Sequence, residues 1–157
     1  MRESESFDRA MQRALRFALP PLVLGHERIR DTGQGRFEYA EHGTEATLVE
    51  VEDRDGLPWD IVAWTKSESW MLRKGCGVLL GAPYLDYCEA FYRKLPVYET
   101  PQSWLDSGGR GVCILNWSAP IPELLWNAPA HAFESDELRQ RYWGAVEKYA
   151  PPAGLLP

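Results

Sequence analysis

Tryptophan content is the feature that most constrains what this chain can fold into: seven of its 157 residues are tryptophan. Indole side chains carry a large apolar surface, so burying several of them requires a real hydrophobic core. The length fits one domain, and a chain of this size buries roughly 70% of the surface that its unfolded state exposes. We therefore expect a single folded domain over residues 1–157. Five of the tryptophans lie close together in the sequence: Trp59, Trp64, Trp70, Trp104 and Trp117.

The charge of the chain is acidic and unevenly distributed. Its formal net charge is −6 at pH 7, and residues 37–60 hold eight acidic side chains against one basic side chain, Arg54. Residues 1–36 instead hold seven arginines against five acids. Binding of nucleic acid depends on neutralising phosphates, so the net charge does not favour a nucleic-acid partner. A local basic face is still compatible with it.

The chain has no feature of a membrane or secreted protein. No apolar run approaches the roughly 20 residues that a membrane helix needs, and residues 1–5 lack the apolar region of a secretory signal. The three cysteines are odd in number and form no CxxC pair, which argues against a disulfide framework and a zinc-thiolate site. We expect a cytoplasmic protein with no membrane contact, no metal and no cofactor.

Hydrophobic periodicity and capping residues predict the order of the elements. An amphipathic helix within residues 1–20 comes first, and residues 151–157 are expected to form a loose tail. The predicted strands cover residues 22–24, 36–40, 47–51, 60–64, 69–73, 97–99 and 111–115. Later helices are predicted to follow Pro83 (with Leu95 on its apolar face), Thr100 and Ser135, and residues 118–132 to wrap the surface.

Strands that come mostly before helices predict an α+β fold rather than a doubly wound one. We expect one domain with a largely antiparallel sheet of about five to seven strands and three or four helices. The apolar segments 61–64 and 112–115 should lie near the centre of this sheet.

Two glycine-rich loops resemble phosphate cradles, but neither has the right context. Residues 106–111 close a helix and lead into a strand, whereas a phosphate loop opens a helix, so we predict a helix C-cap and a tight turn. Residues 75–81 lie between a strand and a helix but lack the GxGxxG spacing and the lysine of a P-loop. Phosphate binding there is the minor alternative.

Other polar clusters also have simple structural interpretations. His42, with Glu38, Glu41 and Glu45, offers ligands for a divalent metal, but a solvated acidic loop explains it more simply. Asp53-x-Asp55-Gly56 is typical of a hairpin turn, and Cys76 has no neighbour that would clearly lower its pKa. The sequence therefore predicts no metal ligand, and it leaves any catalytic residues unknown.

The tryptophans fall into two groups. Trp64 and Trp117 end apolar strands and are expected in the core. Trp59, Trp70 and Trp126 flank polar or proline-rich loops, so we expect them to bind a partner, since tryptophan is enriched at interfaces. If the domain instead binds a small molecule, its pocket should open at the end of strand 111–117. The residues predicted to line that pocket are Asp60, Arg110, Asn116 and Trp117.

One pattern of scaffold residues in segment 58–118 resembles uncharacterised proteobacterial proteins of phage- and plasmid-derived regions. The pattern comprises residues 60–64, 72–75, 80–81, 95–97, 100–105, 108–111 and 114–117. The resemblance implies a bacterial mobile-element protein that handles DNA or acts on proteins that do. It brings no catalytic residues.

These observations favour a non-enzymatic recognition module that binds a protein partner through exposed aromatic side chains beside the acidic segment. A small-molecule or nucleotide-binding domain, enzymatic or not, is the first alternative. A nucleic-acid-associated mobile-element protein and a subunit that is stable only as a homo-oligomer are further alternatives.

Overall fold

The computed structural model describes residues 23–65, 69–119 and 130–149. Within these ranges the chain forms nine strands and three helices. The strands are β1 (Val23–Gly33), β2 (Arg36–Tyr39), β3 (Thr44–Glu52), β4 (Pro58–Trp64), β5 (Trp70–Leu72), β6 (Leu79–Leu80), β7 (Leu95–Tyr98), β8 (Val112–Ile114) and β9 (His131–Phe133). The helices are α1 (Tyr84–Phe91), α2 (Pro101–Asp106) and α3 (Asp136–Tyr149). The predicted helix within residues 1–20, the tail 151–157 and Trp126 lie outside the described residues.

The first five strands form a closed barrel in the order β1-β2-β5-β4-β3. β1 is long enough to pair antiparallel with two strands, with β3 along its first part and with β2 along its last part. Its register shifts beside Gly25, whose φ of +140° favours glycine. Such bulges bend a strand and help a sheet close on itself. A parallel pairing of β2 with β5, at Arg36 and Leu72, completes the ring.

The barrel interior is narrow and filled by apolar side chains. Because successive residues of a strand point to opposite faces, every second residue of these strands faces inward. The interior residues are each 3% exposed or less, so apolar side chains are enclosed inside the barrel. They are Ile29, Phe37, Ala46, Leu48 and Ala63.

The last four strands form a second, mixed sheet in the order β6-β8-β7-β9. β6 pairs with β8 antiparallel, whereas β7 pairs with both β8 and β9 in parallel. One face of this sheet packs against the outer face of the barrel, and helices α1 and α3 cover its other face. The cluster against the barrel contains Val49, Val51, Val62, Leu72, Leu80 and Cys113. The cluster against the helices contains Leu85, Cys88, Leu95, Val97, Ile114, Leu138 and Tyr142.

The predicted α+β class is confirmed, since the described chain is one compact domain of sheets and three helices. The prediction of one sheet with five to seven strands was wrong: nine strands form two sheets, and one of these is closed. The sequence did not indicate β6 and β9, because Leu79–Leu80 and His131–Phe133 are too short to show a hydrophobic period. It indicated only the start of β1, because most of this strand is polar and exposed. The two apolar segments predicted to be central are internal strands, β4 and β8, of different sheets.

The helix starts that were predicted from capping residues agree with the structure. The Thr100 side chain accepts a hydrogen bond from Ser103 N at 3.1 Å, and the Ser135 hydroxyl accepts one from Leu138 N at 3.1 Å. α1 starts after Pro83 as predicted, but it ends at Phe91, where Tyr92 adopts a left-handed conformation. Leu95 was therefore wrongly placed on this helix, because it begins β7 instead.

Candidate functional site

Of the four residues predicted to line one pocket, Arg110 lies apart from the other three. Arg110 precedes β8 and Asn116 follows it, so about 20 Å of extended chain separates them. Asp60 is closer to Asn116, because Gly77 N donates to the Asp60 carboxylate while Val78 O accepts from Asn116 N. The structure therefore does not bring Arg110 together with the residues at the other end of β8.

Asn116 and Trp117 both take part in local packing. Asn116 Oδ1 accepts a hydrogen bond from Ser118 N at 3.0 Å, which forms a side-chain turn. The guanidinium of Arg141 lies over the half-buried indole of Trp117, 4.2 Å from its ring centre. Such a contact is an attractive cation–π interaction and ties α3 to the end of β8.

Asp60 is a buried carboxylate surrounded by backbone donors. Its residue is 3% exposed, and it is the one buried charged residue in the described part of the chain. Oδ1 accepts from Ile61 N and Lys74 N, each at 2.8 Å. Oδ2 accepts from Cys76 N at 2.9 Å and Gly77 N at 2.8 Å. These bonds connect the start of β4 to the loop that follows β5.

Two opposing effects set the acidity of this group. Burial raises the pKa of Asp60, because a carboxylate is poorly solvated inside a protein. The four backbone N–H groups stabilise the charged form and outweigh burial, so the pKa is lowered from its ordinary value of 3.8. Asp60 is therefore ionised at neutral pH, and its oxygens are engaged in holding the chain.

This arrangement explains the glycine-rich loop of residues 75–81. The backbone N–H groups of Cys76 and Gly77, which a bound phosphate would need, already donate to Asp60. The other glycine loop behaves as predicted. Gly108 N and Gly109 N bond to carbonyls of α2, and both residues have positive φ, as in a C-cap followed by a tight turn.

Cys76 lies beside this carboxylate and is exposed. Its Sγ donates to Trp59 O at 3.2 Å. Partial burial and the negative charge of Asp60 raise the pKa of the Cys76 thiol. A thiol in this state is a weak nucleophile at neutral pH, because the thiolate is the reactive form.

The tryptophans differ widely in exposure. Trp64 and Trp104 are 6% exposed, and the half-buried Trp70 donates from Nε1 to Leu115 O at 3.1 Å. Trp59 is 40% exposed and Trp143 is 52% exposed. Of the tryptophans predicted to bind a partner, Trp59 is thus on the surface and Trp70 is held against the core. Sequence reasoning missed Trp143, because it lies on the polar side of an amphipathic helix.

The β3–β4 hairpin carries the candidate binding surface, which we call the Leu57–Trp59 surface: Leu57, Pro58 and Trp59. All three are exposed, Leu57 at 63%. Leu57 lies directly before β4, and Trp59 lies two positions later, where the pairing of β3 with β4 shifts by one residue at a β-bulge. The sequence missed Leu57, although its position directly after the polar turn was a usable signal.

The turn below this surface is tightly organised. Asp53 Oδ1 accepts from Asp55 N and Leu57 N, both at 2.9 Å, and Gly56 has a φ of +85°. The predicted hairpin turn at residues 53–56 is therefore confirmed. Arg54 extends from the turn to α1, where its Nη2 lies 2.5 Å from Asp86 Oδ1 and 3.6 Å from Glu89 Oε2.

No protein-family model matches this chain. No curated protein and no solved structure shows significant similarity to it either. Within residues 23–65, 69–119 and 130–149, no three His, Cys, Asp or Glu residues are placed to hold a metal ion. None of the helices described is long and apolar enough to cross a membrane.

Proposed function

We propose that this protein is a non-enzymatic recognition module that binds a protein partner through the Leu57–Trp59 surface. The observation that carries the proposal is the exposure of two large apolar side chains, Leu57 and Trp59, two positions apart on a well-anchored hairpin. Scattered single apolar residues are normal on a protein surface, whereas neighbouring ones that include tryptophan are typical of binding hot spots.

The anchoring of the hairpin supports a binding role. Asp53 closes the turn below Leu57, and the Asp60 carboxylate fixes the strand directly after Trp59. Arg54 ties the turn to Asp86 on α1. A surface that is held in place before binding loses little conformational entropy when a partner docks, which favours affinity.

The charge around this surface indicates the chemistry of the partner. Asp55 is exposed, Glu52 is half-exposed, and Glu89 on α1 is exposed. Two basic residues lie near these acids: Arg54, which is already paired with acids of α1, and the exposed Lys74, whose backbone N–H donates to Asp60. We therefore expect a partner with an apolar pocket for Trp59 and a basic rim around it.

Site-specific photo-crosslinking in the native cell tests this proposal. A photoreactive phenylalanine analogue replaces Trp59 in one variant and the similarly exposed Trp143 in a matched control. We expect a discrete adduct from position 59 and none of the same mass from position 143. Identical adducts from both positions, or no adduct from position 59, would contradict the proposal.

Self-association through the same surface is the homo-oligomer alternative, and sedimentation velocity separates it from a foreign partner. A dimer of the wild type that dissociates in Trp59→Ala, but not in Trp143→Ala, would identify a second copy of this chain as the partner. The resemblance to mobile-element proteins stays a prediction, which a DNA mobility-shift assay at low salt would test.

A further inference from the structure

A groove of about 1020 Å³ lies between the outer face of the barrel and helix α2. Strands β1, β3 and β4 form its floor, and the start of α2 forms its wall. It lies near the opposite end of the β3–β4 pair from the Leu57–Trp59 surface. The described residues that line it include His26, Glu45 and Thr47 on the floor and Thr100, Pro101 and Ser103 on the wall.

The groove exists because one face of β3 changes from apolar to polar along its length. Val49 and Val51 on this face are buried in the cluster against the second sheet. Glu45 and Thr47 continue the same face, since alternate residues of a strand share a side. The second sheet does not cover them, so the barrel face is open there.

Hydrogen bonds hold the polar groups of the floor and the wall in place. His26 Nδ1 and Thr47 Oγ1 lie 3.2 Å apart on neighbouring strands of the floor. Across the groove, Trp64 Nε1 donates to Gln102 Oε1 at 3.2 Å. Gln102 Nε2 in turn donates to Asp106 Oδ1 at 2.9 Å. The side-chain amide of Gln102, which joins the floor to the wall, is therefore held through both its oxygen and its nitrogen.

The wall presents hydroxyl groups to the same space. Thr100 Oγ1 donates to Ser103 Oγ at 3.1 Å, so both hydroxyls have a fixed position. A hydroxyl group can donate one hydrogen bond and accept two, so each retains capacity for a ligand. Together with Thr47 they form a set of neutral groups around the buried indole of Trp64.

The charge of the lining limits the class of ligand. No arginine or lysine is among the described residues that form the groove. Glu45 and His26 are its ionisable side chains, and Glu45 is exposed at the rim. Among the described lining residues an anionic ligand therefore finds no lysine or arginine to pair with, which favours a neutral ligand over a nucleotide.

We propose that this groove binds a small neutral polyhydroxylated molecule, a sugar ring or a short saccharide. Ligand sites of proteins typically span about 300–1,000 Å³, so the size suits such a molecule. Sugar hydroxyls both donate and accept, which matches the hydroxyls of Thr47, Thr100 and Ser103. The C–H faces of a sugar can contact apolar groups such as Trp64 and Pro101.

Saturation-transfer NMR on the full chain tests the proposal. The probes are glucose, galactose, mannose, N-acetylglucosamine and myo-inositol, with AMP as the anionic comparison. Thr47→Val removes one hydroxyl from the floor, and Ser103→Ala removes one from the wall. Thr32→Val is the matched control, because Thr32 is an exposed threonine of β1 outside the groove. Thermal denaturation of each variant verifies that it is folded.

We expect saturable binding of at least one sugar or polyol, weakened about three- to tenfold by Thr47→Val or Ser103→Ala, as the loss of one hydrogen bond predicts. Thr32→Val should bind like the wild type. The proposal is overturned if none of these neutral probes binds, if AMP binds more tightly than all of them, or if neither folded groove variant weakens binding.

Discussion

Asp60 and Gly77 are joined by a hydrogen bond of 2.8 Å from a backbone N–H to a buried carboxylate oxygen, 17 positions apart in the sequence. A side chain at Gly77 would be crowded, since a Cβ there would lie 3.2 Å from Asp60 Cβ and from a methyl group of Val51, closer than ordinary van der Waals contact. A small residue and a short acid thus fit one another, and they fix the loop after β5 against the start of β4.

Replacing this carboxylate should strongly destabilise the fold. In Asp60→Asn, one acceptor oxygen becomes an N–H₂ group that faces backbone donors, so buried N–H groups lose their partner. We expect the free energy of unfolding to fall by about 2–4 kcal/mol. Urea denaturation measures it, with Asp55→Asn on the exposed turn as the control. A loss for Asp60→Asn no larger than that of Asp55→Asn would contradict the assigned role.

The stability of the fold should also depend on pH through the ionisation of Asp60. Because the pKa of Asp60 is lowered in the folded protein, the unfolded chain binds this proton more readily. The stabilising contribution is therefore complete above the ordinary pKa of 3.8 and is lost as pH falls through the lower folded value. The stability difference between wild type and Asp60→Asn should shrink below about pH 3.8. A difference that stays constant from neutral to strongly acidic pH would refute this.

The three cysteines should react at very different rates. Burial raises the pKa of Cys88 to about 12 and also raises that of Cys113, and both side chains are buried. Cys76 is exposed, but partial burial and the charge of Asp60 raise its pKa too. Iodoacetamide should label Cys76 first, more slowly than it labels free glutathione at the same pH. Mass spectrometry of digested samples checks the order, which unfolding in urea should abolish.

Two glycines with similar backbone angles should respond differently to a methyl group. Gly81 and Gly108 have φ of +84° and +79°, so alanine is strained at both. A Cβ at Gly108 meets nothing within 4 Å, whereas at Gly81 it would lie 2.2 Å from Gly111 O. We expect Gly108→Ala to cost about 1–2 kcal/mol and Gly81→Ala about 3 kcal/mol or more. Equal losses in thermal denaturation would contradict the close approach at Gly81.

Local chemistry in the sequence predicted much of the secondary structure. Thr100 with Pro101, Ser135, and the turn at Asp53 each act within a few residues, so their effects are visible without the fold. The burial of β4 on both faces was also predictable, because its residues are apolar at successive positions. These features depend on neighbours along the chain.

The candidate surface was predictable only in part. Trp59 was expected to be exposed because it flanks a polar turn, and it is exposed. Trp70 flanks a polar segment in the same way, but its indole reaches Leu115, 45 positions along the chain. The composition around each tryptophan is similar, so the sequence could not separate the two.

The sequence by itself determined where the helices start, where the chain turns and which segments are apolar enough to be buried, because capping, turn geometry and hydrophobic periodicity are local. Only the tertiary structure decided that β2 closes a barrel against β5, that a second sheet covers part of this barrel and that Asp60 holds a distant loop. Each of these depends on which surfaces meet after the chain has folded. Asp60 shows the difference: the sequence places a carboxylate at this position, but its partners and its lowered pKa were set by the loop that packs beside it.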